Sequence, residues 1–157
     1  YGDPQASLAA YRRAHALDPE NIDAINFIGQ LEHLFGNLKA ADDAFRQVLD
    51  LGRTQDDKEA IAAAYGNLGV IAMTRGDLDT AVDYYNQALA LNKKLGRKEG
   101  MALNYAGLGV VAFTRGESLE ARQFLVQARG LFAEMGAQPE VALTDQLLAD
   151  LEPTAGP

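Results

Sequence analysis

The 157-residue sequence predicts an all-α fold of stacked antiparallel helix pairs, and three observations carry that reading. The chain repeats itself: positions 62–101 laid over 102–141 agree at 14 identities, against ~3 for unrelated sequence of average composition. Apolar residues return at helical spacing, as in Tyr65, Leu68, Ala72 and again in Tyr105, Leu108, Ala112, whereas no stretch alternates with period two for long enough to make a strand. Alanine is in excess, at roughly one position in six. It stands beside 15 glycines and no cysteine, a composition suited to helices that approach closely. A second displacement pairs 22–61 with 62–101 at 11 identities. One landmark glycine recurs at Gly2, Gly36, Gly76 and Gly116, with spacings of 34, 40 and 40.

The elements follow in order. Residues 2–17 read as a second helix without its first. Residues 22–35, 62–75 and 101–115 are first helices; 38–51, 78–95 and 118–135 are their second helices. Between them stand Gly36-Asn37, Gly76-Asp77 and Gly116-Glu117, where glycine tolerates the left-handed conformation that ends a helix. Asn37 and Asp77 are placed to cap the next helix by accepting its free N–H groups. Residues 141–151 are a closing helix displaying Val141, Leu147, Leu148 and Leu151, and 152–157 are expected to be a disordered tail. The array thus divides near 1–21, 22–61, 62–101, 102–140 and 141–151. Gly29, Gly69 and Gly109 occupy one position in three units, although glycine inside a helix costs about 1 kcal/mol relative to alanine. Close helix approach accounts for them, with Ala41, Ala81 and Ala121 expected opposite and Phe45, Tyr85 and Leu125 filling the layer beyond.

Several function classes are excluded by residue type. The net charge is −8, with 5 basic and 10 acidic residues in 1–57 and 9 and 12 thereafter, so no region suits a phosphate backbone. The cluster Lys93, Lys94, Arg97, Lys98 reads as a solvated helix end. No apolar run approaches the ~18 residues of a membrane span. Gly107, Gly109 and Ala112 spell a dinucleotide fingerprint by letter but fall mid-helix, with no preceding strand. Asp77, Asp79 and Asp83 lack the glycine and glutamate of a calcium loop. His15 and His33 lie in different units, and no nucleophile has a base beside it. No metal, cofactor or enzymatic activity is expected. A start at Tyr1 without a signal segment points to a fragment or processed form, and a cytoplasmic location is expected.

The order small-Gly, Gly-Asp/Asn turn, Ala, aromatic, Ala resembles the tetratricopeptide repeat. The matching residues are Ser7, Tyr11, Ala14, Asp18-Pro19; Ile28-Gly29, Ala41, Phe45; Tyr65, Leu68-Gly69, Ala81, Tyr85, Ala88; and Tyr105, Leu108-Gly109, Ala121, Ala128. The longer units, with Leu95 to Gly100 between helices, are similar to the extended repeats of the LGN/Pins group of adaptors, six extra residues lengthening the second helix and the turn. The resemblance implies a right-handed superhelical solenoid of about 3.5 units whose first helices line a concave face, and a protein-interaction scaffold. Co-chaperones of this family grip a carboxylate terminus with a Lys, Asn, Asn, Lys, Arg clamp. Here Asn26, Gln30, Asn67, Leu103 and Gly107 stand in those places, and the missing cations remove that mode.

On the stripe facing away from the packing residues stand Asn26, Phe27, Gln30 and His33; Asn67, Val70, Met73 and Thr74; and Leu103, Val110, Phe113 and Thr114. This surface grades from polar to apolar toward the C-terminal end, and is read as a groove for a partner's peptide, with Asn26 or Asn67 bonding its backbone. The alternative for Met73 and Phe113 is packing between repeats. The alternative for the whole chain is self-assembly through its end helices, or service as a regulatory domain of a longer protein.

Overall fold

A computed structural model describes residues 3–151, and among these every element is helical: α1 (Pro4–Leu17), α2 (Ile22–Leu34), α3 (Leu38–Thr54), α4 (Lys58–Thr74), α5 (Leu78–Leu95), α6 (Lys98–Thr114), α7 (Ser118–Glu134) and α8 (Gln138–Asp150). Gly2 and the tail 152–157 lie outside the described residues. Each helix packs on the next in sequence, and the even-numbered ones also meet one another, α2 with α4 and α4 with α6. The even helices therefore form an inner layer and the odd ones an outer layer.

The turns are alike to a degree that the alignment of whole repeats conceals. A left-handed residue stands at Gly36, Asp56, Gly76, Gly96, Gly116 and Gly136, evenly spaced at half a repeat. Around each, the N–H of the following residue reaches the carbonyl five positions back, as in Asn37 to Glu32 (2.8 Å), Asp57 to Gly52 (2.8 Å) and Ala137 to Phe132 (2.9 Å). That is the Schellman closure, which satisfies carbonyls the helix would otherwise leave free. Asp56 alone lacks glycine's freedom there, at φ 52°. The extra length of the longer repeat accordingly goes into helix: α3 runs on to Thr54, and α4 and α6 begin at Lys58 and Lys98, ahead of the expected starts at 62 and 101. The turn keeps its length, and Lys98 to Gly100 belong to α6.

Two further expectations are corrected by the packing. The partners of the helix glycines are the large residues, not the alanines. A Cβ on Gly29 would lie 2.6 Å from the Phe45 ring, on Gly69 2.8 Å from the Tyr85 ring, and on Gly109 2.8 Å from the Leu125 side chain. Each glycine is a socket for a bulky side chain, while Ala41, Ala81 and Ala121 are completely buried. Asp77 caps α5 as expected, accepting from the Thr80 N–H at 3.2 Å, but the Asn37 amide donates instead to Glu32 Oε2 at 2.7 Å. Glu32 is 2 % exposed and also binds Arg12 of α1, so the helix without a partner of its own is tied to α2 through a buried carboxylate.

The Thr-Arg-Gly triplet ending α4 and α6 has one use per residue. Thr74 and Thr114 return their hydroxyls to the Val70 and Val110 carbonyls, both at 2.8 Å. Arg75 reaches back to Asp42 (3.2 Å) and the Leu38 carbonyl (3.3 Å) of α3, and Arg115 to Asp79 of α5. Gly76 and Gly116 turn the chain. At the C-terminal end Val141 packs against Ala102, Ala128 and Phe132, so α8 covers the last core layer. None of these helices is long and apolar enough to cross a membrane.

The socket reading gives a paired expectation. Gly69→Ala drives a methyl into the Tyr85 ring and should cost about 1–3 kcal/mol, lowering Tm by roughly 2–4 °C for each kcal/mol. Gly130→Ala, in α7 with open space around the position, should raise stability by up to about 1 kcal/mol. Thermal unfolding followed by circular dichroism distinguishes the two. Equal effects of the same sign would contradict the contact.

Candidate functional site

The inner layer encloses a cavity of about 470 Å³ where α2, α4 and α6 converge. Seven of the twelve residues expected on the groove line it: Asn26 and Gln30 from α2, Asn67, Val70 and Met73 from α4, and Leu103 and Val110 from α6. Met73 does both things expected of it, lining the cavity and packing against the Tyr85–Leu108–Val111 core, and Val70, expected only on the groove, does the same. Leu103 projects freely, half exposed.

The other five lie away from the cavity. Phe27 is one position round α2 from Asn26, which turns it toward α1, where its ring stacks on Tyr11 with centroids 4.8 Å apart. His33 and Thr74 are at the far ends of α2 and α4, with His33 Nε2 3.4 Å from the Thr74 hydroxyl. Phe113 and Thr114 occupy the matching end of α6, exposed, with Phe113 outside the core clusters. Three first helices thus supply one cavity at their middles, while at their ends α2 and α4 meet through His33 and Thr74 and α6 presents Phe113 and Thr114.

The residues the stripe did not include make the floor. Ala62, Ala63 and Gly66 of α4 and Ala106 and Gly107 of α6 keep both helix backbones close to the open space. Gly107 is bare because a Cβ there would lie 2.5 Å from Tyr85, so the Tyr85 ring is held between Gly69 of its own unit and Gly107 of the next. Tyr85 is buried, and burial alone pushes its hydroxyl up to about 12.

Two amide pairs cross the site. Asn67 donates to Asn26 Oδ1 at 2.9 Å, joining α4 to α2 and leaving the Asn67 oxygen and the Asn26 nitrogen as the edges a peptide could meet. Deeper, Asn92 of α5 donates to Asn104 of α6, also at 2.9 Å. These side chains are 3 % and 4 % exposed. The sequence signal for the second pair was a departure from the repeat: one unit earlier the same positions hold Gly52 and Ala64.

At the rim Arg97 stands 3.7 Å from Glu59, and Glu99 lies beside it. Two of the three lysines of that basic cluster are also engaged, Lys93 over the Tyr105 ring at 5.4 Å and Lys98 on Glu134 at 2.8 Å. No group of three His, Cys, Asp or Glu side chains that could hold a metal occurs among the described residues.

Residues 60–134 match the family model described as Tetratricopeptide repeat. No curated protein matches the chain. Among solved structures it is similar to BtubC (BKLC) from P. vanneervenii, with a TM-score of 0.75 at 20 % identity over 94 % of this chain and 62 % of that one. It therefore spans somewhat under two thirds of that relative. It is also similar to the TPR-like repeats of a Podosopora anserina protein assigned as a kinesin light chain, with a TM-score of 0.69 at 17 % identity over 94 % of this chain and 77 % of that one. The MamA crystal structure gives 0.62 at 20 % identity, covering 96 % and 89 %. At these identities the likeness establishes the fold, an all-helical tetratricopeptide-type solenoid.

The buried phenol gives a pH-dependent expectation. The unfolded chain ionises Tyr85 near 10 and the native state only near 12, so stability is fully present below pH 10 and is lost as pH rises toward 12. At pH 12 the loss from this group should be about 2 kcal/mol. Urea unfolding of the wild type and of Tyr85→Phe should agree closely at pH 8 and diverge above pH 10, the variant being more resistant. Parallel curves would contradict the burial.

Proposed function

We propose that this tetratricopeptide-repeat array is a protein-interaction scaffold, rather than an enzyme, that binds an extended segment of a partner across the middles of α2, α4 and α6. The tetratricopeptide identification supports interaction scaffolding in general. The finer reading rests on one observation: a single cavity of about 470 Å³ runs over three consecutive first helices and is lined by both side-chain amides and aliphatic side chains. A space of that size suits a few side chains of a strand-like segment and is small for a whole folded surface. Asn26 and Asn67 offer an amide edge to a peptide backbone, while Val70, Met73, Leu103 and Val110 offer apolar contact. Met73, with three rotatable bonds, lets the wall adapt to side chains of different shape.

The test separates the cavity from the ends of the same helices. Peptides selected from a displayed random dodecamer library on the wild type should bind Leu103→Asp roughly tenfold or more weakly, as for the loss of a central anchor. Phe113→Asp, outside the cavity, should bind within about twofold of the wild type under the same view of peripheral contacts. Both variants alter exposed positions, and circular dichroism should show unchanged helix. Failure to select any peptide, or equal binding by Leu103→Asp, would overturn the groove reading.

A further inference from the structure

We infer that the Asn92–Asn104 pair at the floor of this cavity receives a carboxamide, the side chain of Asn or Gln, from the bound segment; the inference rests on the groove reading above. The pair is not required by repeat packing. At the preceding junction, one repeat earlier, the equivalents of Asn92, Gly100 and Asn104 are Gly52, Ala60 and Ala64; at the following one they are Phe132, Glu140 and Thr144. The same fold closes there without a buried amide pair.

The amides are also incompletely satisfied. Among the described residues Asn92 Oδ1 is buried with no hydrogen-bond partner, and the one side-chain bond of Asn92 is that from its nitrogen to Asn104. A buried acceptor without a donor opposes folding. Two helix glycines accompany it. A Cβ on Gly100 would lie 2.5 Å from the Asn92 amide, so that glycine admits Asn92. A Cβ on Gly66 would meet only Asn104 Nδ2, at 3.2 Å, with nothing else within 4 Å. Gly66 has no positive φ to excuse it and no packing partner besides that amide. It keeps open the space in front of Asn104. Unpaired acceptor, amide nitrogen and vacant approach all belong to residues lining one cavity.

The chemistry of the occupant follows from what these groups offer. Asn92 supplies an acceptor and Asn104 a nitrogen that donates. An aliphatic side chain would leave both unpaired. An ammonium would give up its water for one neutral acceptor, and a carboxylate for one neutral donor, each at the greater cost of a charged group. At the rim Arg97 is already paired with Glu59, and Glu99 lines the cavity beside it, so no free cation waits there for a carboxylate and an ammonium must still give up its water to go deeper. A carboxamide carries one acceptor and a donor pair without charge, and matches the floor group for group.

The experiment uses the same random dodecamer library on the full chain. Selected peptides should share an Asn or Gln at one position, and replacing that residue by Leu or Glu should weaken wild-type binding roughly tenfold or more, as for a site whose buried polar groups are left unpaired. The triple variant Asn92→Gly, Gly100→Ala, Asn104→Ala reproduces the residues of the preceding junction, so it should retain helical content and bind the original and substituted peptides equally. Should it lose helix, Gly66→Leu, which fills the space before Asn104 from the groove side, takes its place with the same expectation. Selected peptides without a shared carboxamide, or a preference that survives in the variant, would overturn the subsite and leave the groove reading standing. If no peptide is selected at all, both fall together.

Discussion

The fit of one bulky side chain into a missing Cβ sets most of this structure. Phe45, Tyr85 and Leu125 each press against a glycine of the helix they pair with, at separations that no side chain could share. Such a contact fixes how far apart the two helices lie, how they are rotated and where along their length they meet, because a slip in any direction brings a Cβ into the ring. Once the rotation of α2, α4 and α6 is fixed, so is the stripe that each turns inward. The groove is a consequence of the socket. Tyr85 carries the constraint further than its equivalents, since Gly107 of the next unit also makes room for it. It sets the spacing between two first helices and, lying under the floor, the depth of the space between them.

What could be read from the sequence was what repeats. The helix pairs, the glycine turns and the recurring Gly29/Gly69/Gly109 position were legible because three copies say the same thing. The half-period was not, because Asp56 interrupts the series of turn glycines and hides the likeness of one turn to the next. The partner of each glycine is not legible for a geometric reason: a small residue and a small residue suggest contact, whereas the glycine makes room for a bulky side chain. Asn37 looked like a cap, and its amide instead serves the buried Glu32, a charge whose location no local pattern announces.

The site was legible in outline and not in depth. Positions at the middles of the first helices were found by periodicity, and seven of them share a cavity. Phe27 shows the limit of that method, since one residue round the helix is about 100° and moves a side chain from the groove to a neighbouring helix. Thr74 and Thr114 recur for helix termination, which a repeat alignment cannot separate from binding. Asn92 and Asn104 carry no repeat signal, since the equivalent positions one unit earlier hold Gly52 and Ala64. In an array whose fold is encoded by agreement between copies, individuality is written in the positions where one copy disagrees.

The six equivalent turns have a consequence for how such a chain can be altered. With the same backbone closure recurring at each half repeat from Gly36 to Gly136, the structural quantum is one helix and its turn, and a pair is simply two of them with opposite faces made apolar. Length is then a free parameter. Duplicating or excising a cassette of one whole repeat conserves both the alternation of inner and outer layers and the direction of the chain, whichever turn is chosen as the seam. Removing half a repeat would exchange inside for outside in everything downstream.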